Sequence, residues 1–387
     1  MANRRLHQSI KITPKYILIV HQDELSRPNA SEVALRMALE EKGHNVATLF
    51  FQPENCKLMR SNDDAFLEAD GCEINVSEVP LFYQDTKFMD LIYKRMKHPK
   101  HGMKVEKRRD EIYIIYPAIC ERVSKFDGSV LMTWADGEEE AIDFMEKLEK
   151  YGIMPTDSIE SLRKSRSKIT SQRLFEANGV PTPKTLCFPN NPDNKYGNFA
   201  IRDELIKLGP PPWYIKSEYG VGGDSVWRVK DEIEVIDIVS LLREKGEGFV
   251  IQEEIPSITK NRPQRIRIVV QDGKIVGALR WTGAEGAITD NAYGNKHGTN
   301  RIIQKSVPMS CLEELTEAQK DVAIRAVEAV GLSTSGVDLL GTPDRPLVLE
   351  ANNAPGLWFH KSVGQNTFEE VAESMISRIK HKQPKIS

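Results

Sequence analysis

Little in this sequence marks it for a membrane, a disulfide framework or a nucleic acid. No apolar run approaches the roughly 20 residues of a membrane-spanning helix, so no membrane partner is expected. Cysteine is sparse: Cys56, Cys72, Cys120, Cys187 and Cys311 are scattered and odd in number. Neither paired disulfides nor a zinc site fits that spacing, and a reducing cytoplasm is the expected compartment. Charge of one sign is also lacking. Lys and Arg number 53 against 56 Asp and Glu, a net charge of −3, which implies no global pull toward nucleic acid or anionic lipid. The basic N-terminal stretch MANRRLHQSIKITPKY has no apolar segment and does not read as a secretory signal. No internal repeat or low-complexity tract is found. What is present is a globular composition, 40% hydrophobic and 28% charged over 387 residues, enough for two or three domains.

Element types change along the chain. YILIV (residues 16–20) reads as a buried strand, NASEVALRMALEEKGHNV as a helix stopped by Gly43, and VATLFF as a second strand. Together they make a βαβ unit and predict a parallel sheet. EIYIIY and SVLMTW add strands, and GEEEAIDFMEKLEKYG an amphipathic helix ending at Gly152. The run Lys94 to Arg109 holds eight Lys and Arg. It reads as a solvated face, with a docking patch for an acidic substrate as the alternative. Later, SKITSQRLFEANGVPTP predicts a helix, WYIKSEYGVGGDSVWRV a strand–glycine loop–strand, and FVIQEEIP a strand closed by Pro256. The last third reads as hairpins and one long helix. Alternating elements followed by hairpins predict α/β and then α+β architecture.

Three elements carry chemistry. In SGVDLLGTPDRPLVLEANN, a tip at Pro343-Asp344-Arg345 sets Asp338 opposite Glu350, with Asn352 on the same face. Facing carboxylates repel by up to about 1 kcal/mol. Two carboxylates and an amide suit Mg²⁺, which takes its remaining ligands from phosphates and water; a slipped register with solvated acids is the alternative. In RIRIVVQDGKIVGALRW, folding about Asp272-Gly273 predicts Arg265 opposite Arg280, with Arg267 on their face. Such a face suits phosphate or carboxylate oxygens, or else pairs with nearby acids. In KSEYGVGGDSV, Lys216 ends an apolar strand and Gly220, Gly222 and Gly223 allow a tight turn. Backbone N–H groups of a glycine loop approach phosphates closely, though plain hairpin turns also use glycine. No Gly-Lys-Ser/Thr follows and no helix opens, so neither the P-loop nor the dinucleotide fingerprint is met. Taken together, lysine, glycine loop, arginine face and carboxylates describe a nucleoside triphosphate with Mg²⁺.

These residues resemble the ATP-grasp superfamily and, within it, the RimK-like amino-acid (glutamate) ligases, from about Tyr151 to Arg378. The resemblance implies an ATP-grasp fold: a parallel α/β pre-ATP-grasp domain (1–155), a central subdomain with a glycine lid (156–252) and a C-terminal subdomain with the metal site (253–387), nucleotide held between the last two. It implies Lys168 and Lys216 as nucleotide lysines, Glu253, Glu254 and Ile255 as the hinge that holds adenine, and Asn291 in TDN as part of a polar loop. Asp338, Glu350 and Asn352 become metal ligands, for two Mg²⁺ ions or Mn²⁺ instead. Some positions depart from close relatives. These usually carry Asp-Ile-Arg where this chain has Arg265-Ile266-Arg267, two arginines where it has Arg280-Trp281, and a basic glycine-rich stretch where it has AYGNKHG. The departures leave ATP and metal intact and put glutamate in question.

The implied activity is ATP-dependent carboxylate–amine ligation through an acyl phosphate, with an amino acid added to a peptide, protein or small metabolite. Arg267, Arg280 and Lys216 are the expected catalytic cations, facing the transferred phosphoryl group and the substrate carboxylate. Closure of the Gly220–Gly223 loop would exclude water. A homo-oligomer is expected on resemblance alone. The rivals are a kinase on the same fold, told apart by its phosphorylated product, and a regulatory ATP-binding module without turnover.

Overall fold

The computed structural model describes residues 16–22, 30–51, 54–61, 64–75, 89–90, 92, 103–109, 111–133, 138–190, 198–220, 225–256, 264–282, 309–357, 360 and 363–382. A strand covered on both faces must be apolar throughout, and Ile17, Leu18, Ile19 and Val20 are all buried in β1 (Tyr16–Gln22). Helix α1 (Ala30–Glu41) leads through Gly43, at φ 88°, into the parallel strand β2 (Asn45–Phe50). β3 (Cys56–Ser61), β4 (Asp64–Ala69) and β8 (Ile119–Arg122) form one small antiparallel sheet. β5 (Cys72–Asn75), β6 (Lys104–Arg108) and β7 (Glu111–Tyr116) form another, and EIYIIY is its central strand. β9 (Gly128–Thr133), α2 (Glu138–Lys150) and β10 (Met154–Pro155) complete the predicted parallel sheet, in the order β10-β9-β1-β2.

Two capped helices follow. Ser158 and Ser167 each accept a backbone N–H three residues ahead, at 3.0 Å, and so start α3 (Ile159–Arg166) and α4 (Lys168–Ala177). The middle of the chain builds an antiparallel sheet, β11-β14-β12-β13, from β11 (Thr185–Phe188), β12 (Trp213–Ser217), β13 (Val226–Val229) and β14 (Phe249–Glu253). α5 (Asn198–Leu205) and α6 (Glu232–Glu244) cover it. The last sheet runs β17-β16-β15-β18-β19, from β15 (Gln264–Gln271), β16 (Lys274–Thr282), β17 (Met309–Ser310), β18 (Thr334–Thr342) and β19 (Arg345–Asn352). α7 (Glu317–Val330) packs on one face, and α8 (Thr367–Lys382) ends the described chain.

Burial divides the molecule unevenly. One cluster joins Leu18 and Ile142 to Phe175, Ile268, Val327 and Val337; a second joins Ile19 and Leu35 to Val269, Phe368 and Val371. Both therefore tie the parallel sheet to the last sheet. Among the described residues, the middle sheet has its own cluster around Ile201, Trp213, Ile215, Val239 and Ile251. Its attachment to the rest relies less on shared apolar burial, which is the packing a movable unit needs.

Candidate active site

The last hairpin brings Asp338 and Glu350 together, as the sequence predicts, but by another route. Thr342 pairs with Arg345, so the turn is the two residues Pro343-Asp344 and not the three expected. A bulge beside Leu339 absorbs Leu349: Leu339 pairs with Val348 while Asp338 pairs with Glu350. The extra bulge residue restores the register that a longer tip would have given. Asp338 is buried; Glu350 is partly exposed, and its Oε1 accepts from Asn352 Nδ2 at 2.9 Å.

The arginine hairpin corrects the expected register. Asp272-Gly273 makes the tight turn, with φ 46° and 72°. A bulge then leaves Val276 without a counterpart, since Val270 pairs with Ile275 and Val269 with Gly277. Beyond it every pair shifts by one: Ile266 faces Arg280, and Arg265 faces Trp281. A shift of one residue reverses the face of a side chain. Arg280 thus shares the face of Ile266 and donates to Glu314 at 2.8 Å, apart from the other two arginines. Arg265 and Arg267 stay together and meet Asp338. Arg267 Nε and Nη2 reach its two oxygens at 2.6 and 2.7 Å, and Arg265 Nη1 reaches Oδ2 at 2.5 Å. Arg267 also lies 3.8 Å from Glu350, and Arg265 stacks over the Trp281 ring at 5.1 Å. Burial alone would raise the Asp338 carboxyl, but the guanidiniums of Arg265 and Arg267 hold it well below the usual carboxylate range.

Across from these carboxylates stands the middle sheet. Lys168, Gln172, Thr185, Lys216, Val250 and Gln252 line a narrow cleft closed on its other side by Leu349 and Glu350. Lys168 opens α4, where its Nζ donates to the Gly220 carbonyl and its N–H to that of Glu218. Lys216 is brought down to about 8, chiefly by lost hydration; the carboxylates of Glu350 and Asp338 oppose that and Lys168 adds to it. Two lysines, two arginines and two carboxylates thus converge between two sheets, with more positive than negative groups.

A model of the RimK-like ATP-grasp domain matches residues 165–378, which spans every one of these groups. The chain belongs to this family. A probable alpha-L-glutamate ligase of Xanthomonas euvesicatoria pv. vesicatoria (strain 85-10) is 30% identical over 235 residues, 61% of this chain and 72% of that protein. D-cycloserine synthetase DcsG superposes with a TM-score of 0.61 at 17% identity, over 94% of this chain and 99% of that one. The D-alanine–D-alanine ligase of Bacillus anthracis, solved with ATP, gives 0.58 at 16% identity, over 95% and 100%. At such identities the likeness is one of fold, and the fold is ATP-grasp. The protein is an ATP-grasp ligase, an enzyme that joins carboxylate to amine with a C–N bond at the expense of ATP.

Several predicted residues of this ATP-grasp site take definite places. Gly220 follows β12, and an added Cβ there would lie 2.7 Å from the Ser225 Cβ. Gly222, Gly223 and Asn291 lie outside the described residues. Glu253 ends β14 opposite Trp213, and its Oε1 accepts from the Lys184 N–H at 2.8 Å. Glu254 is held by Arg228 at 2.7 Å. Both carboxylates expected to help hold adenine are thus engaged within the protein. Much of the basic run 94–109 lies outside the described residues; within it, Arg108 forks onto Glu73 at 2.6 and 2.9 Å. Gln172, Thr185 and Gln252 also line the cleft, though none is among the residues expected there from the sequence. Gln252, a polar residue inside the apolar run FVIQ, was the available signal.

The donor set fits a hard divalent cation. Among the described residues no group of three acidic, histidine or cysteine side chains converges. Two carboxylates and one amide leave most of a coordination sphere to phosphate oxygens and water, the preference of Mg²⁺. Asn352 donates its N–H to Glu350, and its amide oxygen is the atom that would ligate a hard cation.

Proposed function

We propose that this ligase binds ATP between the middle and last sheets, activates a carboxylate as an acyl phosphate, and transfers it to an amine. One observation carries the reading: Lys168 and Lys216 face Glu350 across a cleft, while Arg265 and Arg267 crowd Asp338 beside it. Attack of a carboxylate on a triphosphate brings anion to anion, so the barrier is largely electrostatic and preorganised cations lower it. Lys168 and Lys216 would hold phosphate oxygens. Arg267, donating through a fork, would face the transferred phosphoryl group. The role expected of Arg280 passes to Arg265, because Arg280 bonds to Glu314 on the other face. Asp338, Glu350 and Asn352 would hold the metal, which when bound neutralises phosphate charge. Gly220 and the following loop would cover the site against water, which would otherwise hydrolyse the acyl phosphate.

An amino acid added to a peptide, protein terminus or small metabolite is the substrate pattern we favour. Glutamate is the first to test, given the relative named a probable alpha-L-glutamate ligase. The test is ADP release screened over amino acids and short peptides, with mass spectrometry of the products. Ligation predicts ADP, phosphate and amide in equal amounts. A phosphorylated product without an amide would make the protein a kinase, and no substrate-stimulated ADP release would overturn turnover.

A further inference from the structure

Asp338 is enclosed more tightly than a waiting metal ligand needs to be. It is 1% exposed, and both oxygens are engaged: Oδ1 by Arg267 Nε at 2.6 Å, Oδ2 by Arg267 Nη2 at 2.7 Å and Arg265 Nη1 at 2.5 Å. Arg265 is itself seated, its guanidinium over the ring of Trp281, its direct cross-strand partner. Stacking of this kind fixes a guanidinium in place. A bare divalent cation approaching Asp338 therefore meets two guanidiniums before it meets a free carboxylate oxygen. Drawing them off Asp338 without a substitute anion would cost two largely buried cations their shared carboxylate, which is unfavourable. A polyphosphate changes the balance, because its oxygens offer both forks new acceptors.

We propose that Arg265, seated on Trp281, competes with the divalent metal for Asp338, so that the site takes the metal only together with a polyphosphate. The inference rests on reading Asp338 and Glu350 as metal ligands. By linkage, the factor by which nucleotide tightens metal binding equals the factor by which metal tightens nucleotide.

The test is Mn²⁺ binding, followed by the electron-paramagnetic-resonance signal of the free ion, with and without a non-hydrolysable ATP analogue. In nucleotide-free protein, Arg265→Gln is expected to bind Mn²⁺ at least about 10-fold more tightly than wild type, the scale of one modest ionic competitor. Adding Glu350→Gln to that variant should cancel the gain. Arg265→Lys, which keeps charge but loses the fork and the flat stack, should fall between; it replaces the Gln variant if that fails to fold. Equal affinity of wild type and variant for Mn²⁺, with Glu350→Gln still losing the ion from nucleotide-loaded protein, overturns the competition alone. If Glu350→Gln leaves nucleotide-dependent Mn²⁺ binding unchanged, the ligand reading falls and the competition with it.

Discussion

Lys216 shows how one residue's burial becomes a measurable property. Its ammonium sits near 8 in the folded protein, against 10.5 for the free side chain, because it has lost water. Charging it therefore costs stability at and below pH 8, and the cost fades as pH rises from 8 toward 10.5. A bound triphosphate would restore the charge. Nucleotide binding above pH 8 is thus expected to take up about half a proton or more. Calorimetry in buffers of different ionisation enthalpy measures this, Lys216→Met should abolish it, and uptake unaffected by that substitution would contradict the account. Glu350 supplies a second test. Glu350→Gln should leave melting behaviour near wild type and lower turnover by about 10²-fold or more, the scale of one lost transition-state stabiliser. Near-normal ADP release would remove Glu350 from the metal site.

Elements explain what the sequence revealed and what it hid. The βαβ unit was legible because Ile17 to Val20 are apolar on both faces; the shared face of Glu350 and Asn352 was legible because strand alternation fixes it. Two β-bulges were hidden, with opposite consequences. The bulge at Leu349 rescued an expected pairing whose turn was one residue too long. The bulge at Val276 broke another and turned Arg280 away. Leu349 is an apolar residue in an apolar strand, so nothing local marks it. Val276 had one marker, the neighbouring Gly277, whose missing Cβ leaves room for His360, Gln365 and Thr367. Packing between elements yields its own prediction. An added Cβ at Gly128 of β9 would lie 2.6 Å from Ile379 of α8. Gly128→Ala should cost about 1–3 kcal/mol of unfolding free energy by denaturant titration, a common result of overpacking, with nucleotide affinity unchanged. Unaltered stability would mean that α8 does not press on the parallel sheet.

At the scale of the molecule, two apolar clusters weld the parallel sheet to the last sheet, while the middle sheet keeps a cluster of its own. The cleft proposed for nucleotide is lined by residues of the middle sheet on one side and of β19 on the other, so closure there would involve surfaces that the shared cores do not hold. This division was only partly legible, because helix α8, last in the chain, packs against α1, the first, and sequence order does not show that return. The most direct measurement is a crystal structure with Mg²⁺ and a non-hydrolysable ATP analogue. Phosphates are expected between Lys168 and Lys216 on one side and Arg267 on the other, with metal on Asp338, Glu350 and Asn352. A triphosphate bound away from that cleft, with Arg265 and Arg267 still paired to Asp338, would contradict the account.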